Sequence, residues 1–272
     1  MLFSIIIVNY NSCDLLYNCV KSITGNLQEV DYEIVVVDNN SSDNSLELCR
    51  QIHEDRLKII ESKNNLGFAK ANNLGVQHAS GDVLHFLNPD TEVSRNLVAD
   101  YERISNDILN TKEYVYVNPM KDLDGHVYYG KNFIPDSVNY LRYLFCMSKT
   151  KWYYIGATVI MSKNTFEKIG GWNEAFFMYA EDTDLFYRIN EHKIKIIELP
   201  VAIFHLGAGT SKNAYTNLQR EVLIQKSLRT YFKCNHLGLL NYCCFQVMVI
   251  LSFFRRPKRA WWQLKAIKES FQ

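Results

Sequence analysis

The 272-residue chain is poor in residues that interrupt or cross-link a fold. Five prolines and twelve glycines leave no room for a long disordered linker. There is no low-complexity tract and no internal repeat, which excludes solenoids and propellers. Seven cysteines stand at positions 13, 19, 49, 146, 234, 243 and 244, with no CxxC pair and no Cys/His group at zinc spacing. An odd, scattered set implies reduced thiols in a cytoplasmic compartment. Lysine plus arginine number 30 against 29 aspartate plus glutamate, so no global field recruits nucleic acid. No basic stretch precedes the first apolar run and no small-residue cleavage site follows it, so no signal peptide is expected. What remains is ordinary globular composition, 47% hydrophobic and 22% charged. The length suits one large domain, or a domain with an appendage.

The first half alternates buried strands and helices. Residues 2–8 are apolar but for Ser4 and end in Asn9-Tyr10-Asn11. Such a run fits a strand covered on both faces, as in a parallel sheet. A helix follows, with Asp14 as its cap, Leu15, Leu16, Cys19, Val20 and Ile23 at helical spacing, and Gly25 as its end. Residues 33–37, EIVVV, form a second strand ending in Asp38-Asn39-Asn40. A helix over 43–52 and a strand over 57–60 complete a parallel β/α pattern. The fourth strand, 84–87, stops at Asn88-Pro89-Asp90 because proline ends strand pairing. In extended backbone Asn88 and Asp90 share a face and can reach one ligand. The same string is also what a tight Asn-Pro-Asp turn looks like.

Ligands of such sheets bind beyond the carboxyl ends of the strands. Three polar tips therefore converge: Asn9 and Asn11, Asp38 and Asn40, Asn88 and Asp90. Between the third and fourth strands lies NNLGFAKANNLG, residues 64–75. Gly67 permits close backbone approach. A helix over 69–79 directs its N-terminus, Lys70 and Asn72 toward an anion. This string is neither a P-loop nor a GxGxxG motif.

Further on, a helix fits 93–110, a strand 115–117, and a DLDG hairpin turn at 122–125 leads into 127–133. The aromatic stretch 134–152 reads either as a mobile loop or as a cover for an acceptor. Residues 154–161 read as one strand, and 165–169 as a short helix. A helix starting near Glu181 carries Glu181, Asp182 and Asp184 in its first turn, which also suits the helix dipole. Asp184 and Arg188 stand four apart and form a structural ion pair. Glu181 and Asp182 are left for chemistry. The aromatic cluster before them, with Trp172 and Tyr179, either stacks on a sugar face or belongs to the core. His205 follows a short strand and precedes a Gly/Ser/Lys loop, a placement suited to a metal or a phosphate.

Taken together these residues resemble family 2 glycosyltransferases with the GT-A (nucleotide-diphospho-sugar transferase) fold, in particular the rhamnosyltransferase-like branch of bacterial surface-polysaccharide synthesis. The matching strings are IIIVNYN at 5–11, VVVDNNSSD at 35–43, NNLGFAKANNLG at 64–75, GDVLHFLNPDTEV at 81–93, IGATVIMSK at 155–163, GGWNEAFFMYAEDTDLFYR at 170–188 and HLGAGTS at 205–211. The resemblance implies an α/β fold with a mostly parallel central sheet flanked by helices. It implies a catalytic domain over 1–211, with a nucleotide-binding half at about 1–92 and an acceptor-side half at 93–211, followed by a helical extension over 212–272.

The implied activity is inverting transfer of a sugar, rhamnose by the branch, from a dTDP- or UDP-sugar to a hydroxyl of a glycan or lipid-linked acceptor. Val8, Asn9, Tyr10, Asp38, Asn40, Asn65, Gly67, Lys70, Asn72, Asn88, Pro89 and Asp90 would bind the nucleotide sugar. Asp90 and His205 would hold Mg²⁺ or Mn²⁺, with Asn88 departing from the family's Asp-x-Asp and so removing one charge. Asp182 would be the general base, Glu181 its support, and Trp172 and Tyr179 acceptor contacts.

Two other readings stand beside this one. A sugar nucleotidyltransferase would want a Gly-rich basic loop after the first strand, where this chain has Asn9-Tyr10-Asn11. A non-catalytic nucleotide-sugar-binding protein would be signalled by loss of Asp90 or Asp182. In the extension, residues 239–254 are apolar but short of the roughly 20 needed to cross a bilayer. With Arg255-Arg256-Pro257-Lys258-Arg259 and Trp261-Trp262 they suit an interfacial anchor at the inner face of the cell membrane. A helix pair packing on the catalytic domain, or forming a homodimer, is the other expectation.

Overall fold

The computed structural model describes residues 1–207, 217–252 and 257–270. In chain order the first half runs β1 (Phe3–Asn9), α1 (Asp14–Asn26), β2 (Tyr32–Asp38), α2 (Ser45–Arg50), β3 (Leu57–Glu61), α3 (Phe68–His78), β4 (Val83–Leu87), β5 (Thr91–Glu92) and α4 (Leu97–Leu109). The middle adds β6 (Tyr114–Val117), β7 (Met120–Lys121), β8 (Val127–Tyr128), β9 (Lys131–Phe133), α5 (Ser137–Leu144), β10 (Trp152–Tyr154), β11 (Thr158–Ser162) and α6 (Lys163–Lys168). Then come α7 (Glu181–Glu191), β12 (Lys195–Glu198), β13 (Ile203–His205), α8 (Asn217–Cys234), α9 (Leu239–Ser252) and α10 (Pro257–Glu269).

Seven strands form the central sheet in the order β12-β6-β11-β4-β1-β2-β3. Only β11 runs antiparallel to its neighbours β4 and β6. The continuous apolar runs have a direct physical cause, since both faces are covered. Ile5 and Ile7 of β1, with Ile34 and Val36 of β2, pack on α1, α2 and α4 through Leu16, Cys19, Leu46 and Tyr101. The alternate residues Ile6, Val8, Val35 and Val37 pack on α3, α6 and α7 through Ala71, Phe166 and Leu185. This is a three-layer α/β/α sandwich.

A second sheet, β5-β13-β7-β8, sits at the carboxyl end of β4. Its pairing of Thr91 with His205 draws the end of β13 against the Asn-Pro-Asp turn.

Several expectations are corrected. Asp14 lies inside the first turn of α1, and the backbone N–H of Cys13 before it donates to the Asp43 side chain at 2.7 Å. Gly25 does not end the helix, which runs through Asn26. The run 154–161 is two strands in different sheets, broken at Ile155-Gly156-Ala157. The run 127–133 is likewise split at Gly130, where a Cβ would stand 2.7 Å from the Met120 side chain. Residues 137–144 are a helix, because the Asp136 carboxylate accepts from the N–H groups of Val138 and Asn139 and caps it.

The C-terminal helices pack on the preceding α/β unit. Tyr231 and Phe232 of α8 and Tyr242 and Phe245 of α9 form one buried cluster with Ile134, Tyr140, Phe176 and Ala180. Three hydrogen bonds help tie them down: Ser137 N–H to Asn241 Oδ1 at 2.8 Å, Ser227 Oγ to the Met178 carbonyl at 2.7 Å, and Asn235 Nδ2 to Asp184 Oδ1 at 2.8 Å. Among the described residues no helix is long and apolar enough to cross a membrane. The side chains of the basic run at 255–259, and most of the loop after His205, lie outside the described residues.

Candidate active site

A cavity of about 570 Å³ opens at the carboxyl ends of β1 and β4, within the usual size range of small-molecule sites. Val8, Tyr10, Asn65, Gly67, Asn88, Pro89, Asp90, Tyr179, Glu181, Asp182 and His205 all line it. Residues 89–90 form a turn, not an extended tip, and Asn88 and Asp90 both line the cavity. The turn is tightly held. Asn88 N–H donates to the Ala157 carbonyl at 3.0 Å, and the Asn88 carbonyl accepts from Thr91 Oγ1 at 2.7 Å.

Other expected residues lie elsewhere. Asn9 and Asp38 are register partners on β1 and β2. Strand alternation turns them to the α1/α2 face, while Val8 and Tyr10 face the cavity. Asn9 Nδ2 donates to Asp38 Oδ1 at 2.7 Å and to Ser45 Oγ at 2.9 Å, so this buried pair braces the layer beneath. Asn39, missed in the sequence reading, is the residue of the β2 tip that lines the cavity. It donates to Asn65 Oδ1 at 2.9 Å and accepts the Leu66 N–H at 2.7 Å, which shapes the loop before α3. Asn40 is exposed, in a left-handed turn with φ 66°. Lys70 is exposed on α3 and is not among the lining residues. Asn72 is buried and spends its amide on the Phe68 carbonyl at 3.0 Å. Trp172 is core, 1% exposed, with edge contacts to Phe68 and Phe86. Its size made it a candidate for sugar stacking, but the indole fills the layer under α3 instead.

Helix α7 places the acids. Tyr179 and Ala180 just before it both adopt left-handed conformations, φ 68° and 62°. Such residues cost on the order of 1–3 kcal/mol each and cluster at functional turns. Asp182 Oδ1 accepts the Thr183 N–H at 2.7 Å. Burial pushes the Asp182 carboxyl above the usual range, against backbone hydrogen bonds from Thr183 and Gly156 that pull it down. Burial raises Glu181 as well, with further help from the Asp182 charge. Glu181 Oε2 has no hydrogen-bond partner among the described residues. One turn on, Asp184 pairs with Arg188 at 2.8 Å, as its spacing implied, and also accepts from Asn235 of α8.

Asp90 and His205 meet because β5 pairs with β13. His205 Nε2 lies 3.4 Å from Asp90 Oδ1, and the Leu206 N–H donates to the Asp90 carbonyl at 3.0 Å. His205 Nδ1 is buried without a partner among the described residues. A carboxylate oxygen beside an imidazole nitrogen is a donor set that Mn²⁺ or Mg²⁺ accepts. The charge around it points the same way. Asp90, Glu181 and Asp182 line the cavity and no lysine or arginine does, among the described residues. A second group of possible ligands, Asp122, Asp124 and His126, sits on the exposed β7–β8 turn outside the lining.

The opposite wall is apolar and comes from distant segments: Phe133 and Pro135 after β9, Tyr153 and Ile155 around β10, and Ile224, Leu228 and Phe245 from α8 and α9. Sequence reasoning missed this wall. Gly156, inside an apparent strand, was the one local sign of the break that exposes it.

Comparison with known proteins gives the following. The family profile described as glycosyl transferase family 2 matches residues 4–170, and one described as N-terminal domain of galactosyltransferase matches 143–208. A low-salt glycan biosynthesis hexosyltransferase of Haloferax volcanii is 31% identical over 206 residues, 71% of this chain and 63% of that protein. A GalNAc(5)-diNAcBac-PP-undecaprenol beta-1,3-glucosyltransferase of Campylobacter jejuni is 26% identical over 224 residues, 78% of this chain and 69% of its own. The chain thus spans less than two thirds of the Haloferax relative. Among solved structures, the mannosyltransferase PcManGT of Pyrobaculum calidifontis, in complex with GDP-Man and Mn²⁺, superposes with a TM-score of 0.63 at 16% identity, covering 99% of this chain and 86% of that one. S. aureus TarS 1–349 in complex with UDP-GlcNAc gives 0.60 at 15% identity, covering 99% and 89%. At these identities the structural likeness speaks for the fold alone, which is GT-A.

Proposed function

Because the chain belongs to glycosyltransferase family 2, we propose that it transfers a sugar from a nucleotide diphosphate to an acceptor hydroxyl with inversion, in glycan biosynthesis at the inner face of a membrane. The observation that carries this reading is a single cavity holding a buried carboxylate pair, Glu181 and Asp182, and a separate carboxylate–imidazole pair, Asp90 and His205.

Each group has a chemical task. Val8, Tyr10, Asn39, Asn65 and Gly67 form the nucleotide end, where bare backbone at Gly67 admits the Phe177 carbonyl that braces this loop. Asp182 accepts the proton of the acceptor hydroxyl. That hydroxyl has a high pKa and needs a positioned base in the transition state. A raised carboxyl pKa makes Asp182 a stronger base than an exposed aspartate, and the Thr183 N–H fixes its orientation. Burial raises both carboxyls, so the Glu181/Asp182 pair shares a proton, which keeps two charges from adjoining in a buried place. A divalent cation on Asp90 and His205 would neutralise charge developing on the departing diphosphate. The apolar wall of Phe133, Leu228 and Phe245 excludes water, which would otherwise compete with the acceptor. One base acting opposite the leaving group gives single displacement and inversion.

The motif resemblance favours rhamnose on dTDP as donor. The likeness to a glucosyltransferase makes UDP-glucose the second donor to test. The acceptor is a glycan or lipid-linked saccharide. The deciding experiment measures nucleoside diphosphate release and donor binding for Asp182→Asn across a donor panel with Mn²⁺. Transfer falls by at least about 100-fold while donor affinity is kept. Near wild-type transfer in that variant removes Asp182 as the base.

A further inference from the structure

The near-neutral balance of the whole chain conceals an uneven distribution. Residues 217–272 hold ten lysines and arginines against two acidic residues, Glu221 and Glu269. These residues form α8, α9 and α10, and between α8 and α9 lies a second cavity of about 470 Å³. It is lined by Arg229, Lys233, His236 and Tyr242, together with Phe232, Gly238 and Leu239. No carboxylate is among these lining residues.

Three features prepare this cavity for an anion. Gly238, with φ +78°, turns the chain into α9, so the N-terminus of a 14-residue helix opens at its edge. That end presents unpaired N–H groups and the positive pole of the helix. The Arg229 guanidinium is held by Ser270, donating to its Oγ at 2.8 Å and to its carbonyl, which fixes it in place. Tyr242 is 3% exposed, and its hydroxyl lies beside Arg229 and Gln246, adding a polar group to the wall next to the guanidinium.

The rim is apolar. Leu239 and Leu240 are exposed at the mouth, and Leu240, Val247 and Leu251 share one outward face of α9. The opposite face, Tyr242 and Phe245, is buried in the cluster described above. Helix α5, packed beside α9, adds Leu144 and exposed Phe145 just after it. A cationic pocket opening onto an apolar surface matches an amphiphile with an anionic head. A second copy of this face would bring like charges together, which disfavours a dimer here.

We propose that the α8–α9 cavity binds the phosphate of an anionic lipid headgroup, seating the Leu240–Val247–Leu251 face of α9 in the membrane interface. This site is separate from the transfer cavity, and its test does not depend on the transferase reading.

The full chain is sedimented with phosphatidylcholine vesicles with and without phosphatidylglycerol, at roughly 0.1 M salt. Binding is expected only with phosphatidylglycerol. Lys233→Glu weakens it by about 25-fold, from roughly fivefold per elementary charge near an anionic surface. Lys21→Glu, the same charge change on α1, leaves it within about twofold. Nucleotide affinity, measured alongside, stays at the wild-type value and certifies that each variant is folded. Equal losses for Lys233→Glu and Lys21→Glu overturn the site. Binding of inorganic phosphate without any vesicle binding overturns the lipid assignment.

Discussion

Replacing Gly67 by alanine adds one methyl group at the most confined backbone position of the cavity. Gly67 has φ 79° and ψ 172°, a region open in practice only to glycine. Holding an alanine there costs on the order of 2–3 kcal/mol. The new Cβ would stand 2.3 Å from the Phe177 carbonyl oxygen and 2.9 Å from its Cα. Both are backbone atoms, so no side-chain rotation relieves the clash. Moving residue 177 away breaks the hydrogen bond from Phe68 N–H to the Phe177 carbonyl, 3.0 Å long and worth about 1 kcal/mol. The total is about 3–4 kcal/mol, or roughly 6–16 °C in melting temperature. Nucleotide affinity falls with it, because Asn65 accepts the Gly67 N–H and both residues line the cavity. Gly25→Ala is the control. It sits in α1 with nothing within 4 Å of a Cβ, so the same methyl group stabilises by roughly 0.5–1 kcal/mol. Urea denaturation of both variants, with calorimetric titration of nucleotide, measures the contrast. A Gly67→Ala variant within about 1 kcal/mol of the wild type refutes the reasoning.

The Glu181/Asp182 pair makes activity and stability respond oppositely to pH. Both carboxyls are raised in the folded chain, so the stability they allow is complete below the unfolded value of about 4 and is lost as pH rises through the raised values. Transfer rises over the same window as Asp182 ionises, and parallel pH series of rate and urea midpoint test this; an acid limb at about 4 refutes it. Asp90→Ala lowers Mn²⁺ affinity by more than about tenfold and leaves metal-free nucleotide binding unchanged; unchanged Mn²⁺ titration refutes the pairing with His205. Leu228→Trp narrows the apolar wall, so the acceptor KM rises on the order of tenfold while the donor KM holds; the reverse pattern places the donor sugar against α8.

Much of the sandwich was legible because strands covered on both faces are largely apolar, as β1, β2 and β4 are but for Ser4, Glu33 and His85 and the polar strand tips. Helix α7 was legible because Glu181, Asp182 and Asp184 crowd its first turn and Arg188 answers Asp184 one turn later. The same continuity hid the parity of the strand ends. A run without alternation does not say which layer each residue faces, so Asn9 and Asp38 were read as ligand contacts where Val8, Tyr10 and Asn39 line the cavity. Trp172 shows a second limit, since residue size does not separate a core indole from a sugar platform. Helix α5 had a readable start in Asp136-Ser137, but the aromatic residues after it drew the reading toward a loop. The wall from Ile224, Leu228 and Phe245 had no local sign at all. It exists only through contact with Phe133 and Tyr140, a hundred residues earlier in the chain.

That wall also sets an order of events during synthesis. The donor-side residues, from Val8 to Asp90, leave the ribosome well before Phe245 does. At roughly 5–20 residues per second, the interval is on the order of ten to thirty seconds. Through that interval the nascent chain holds every strand of the nucleotide end and lacks the helices that close the cavity. On the proposed reading the nucleotide end therefore takes shape first, while Asp182, His205 and the wall from α8 and α9 join it only as the later segments emerge.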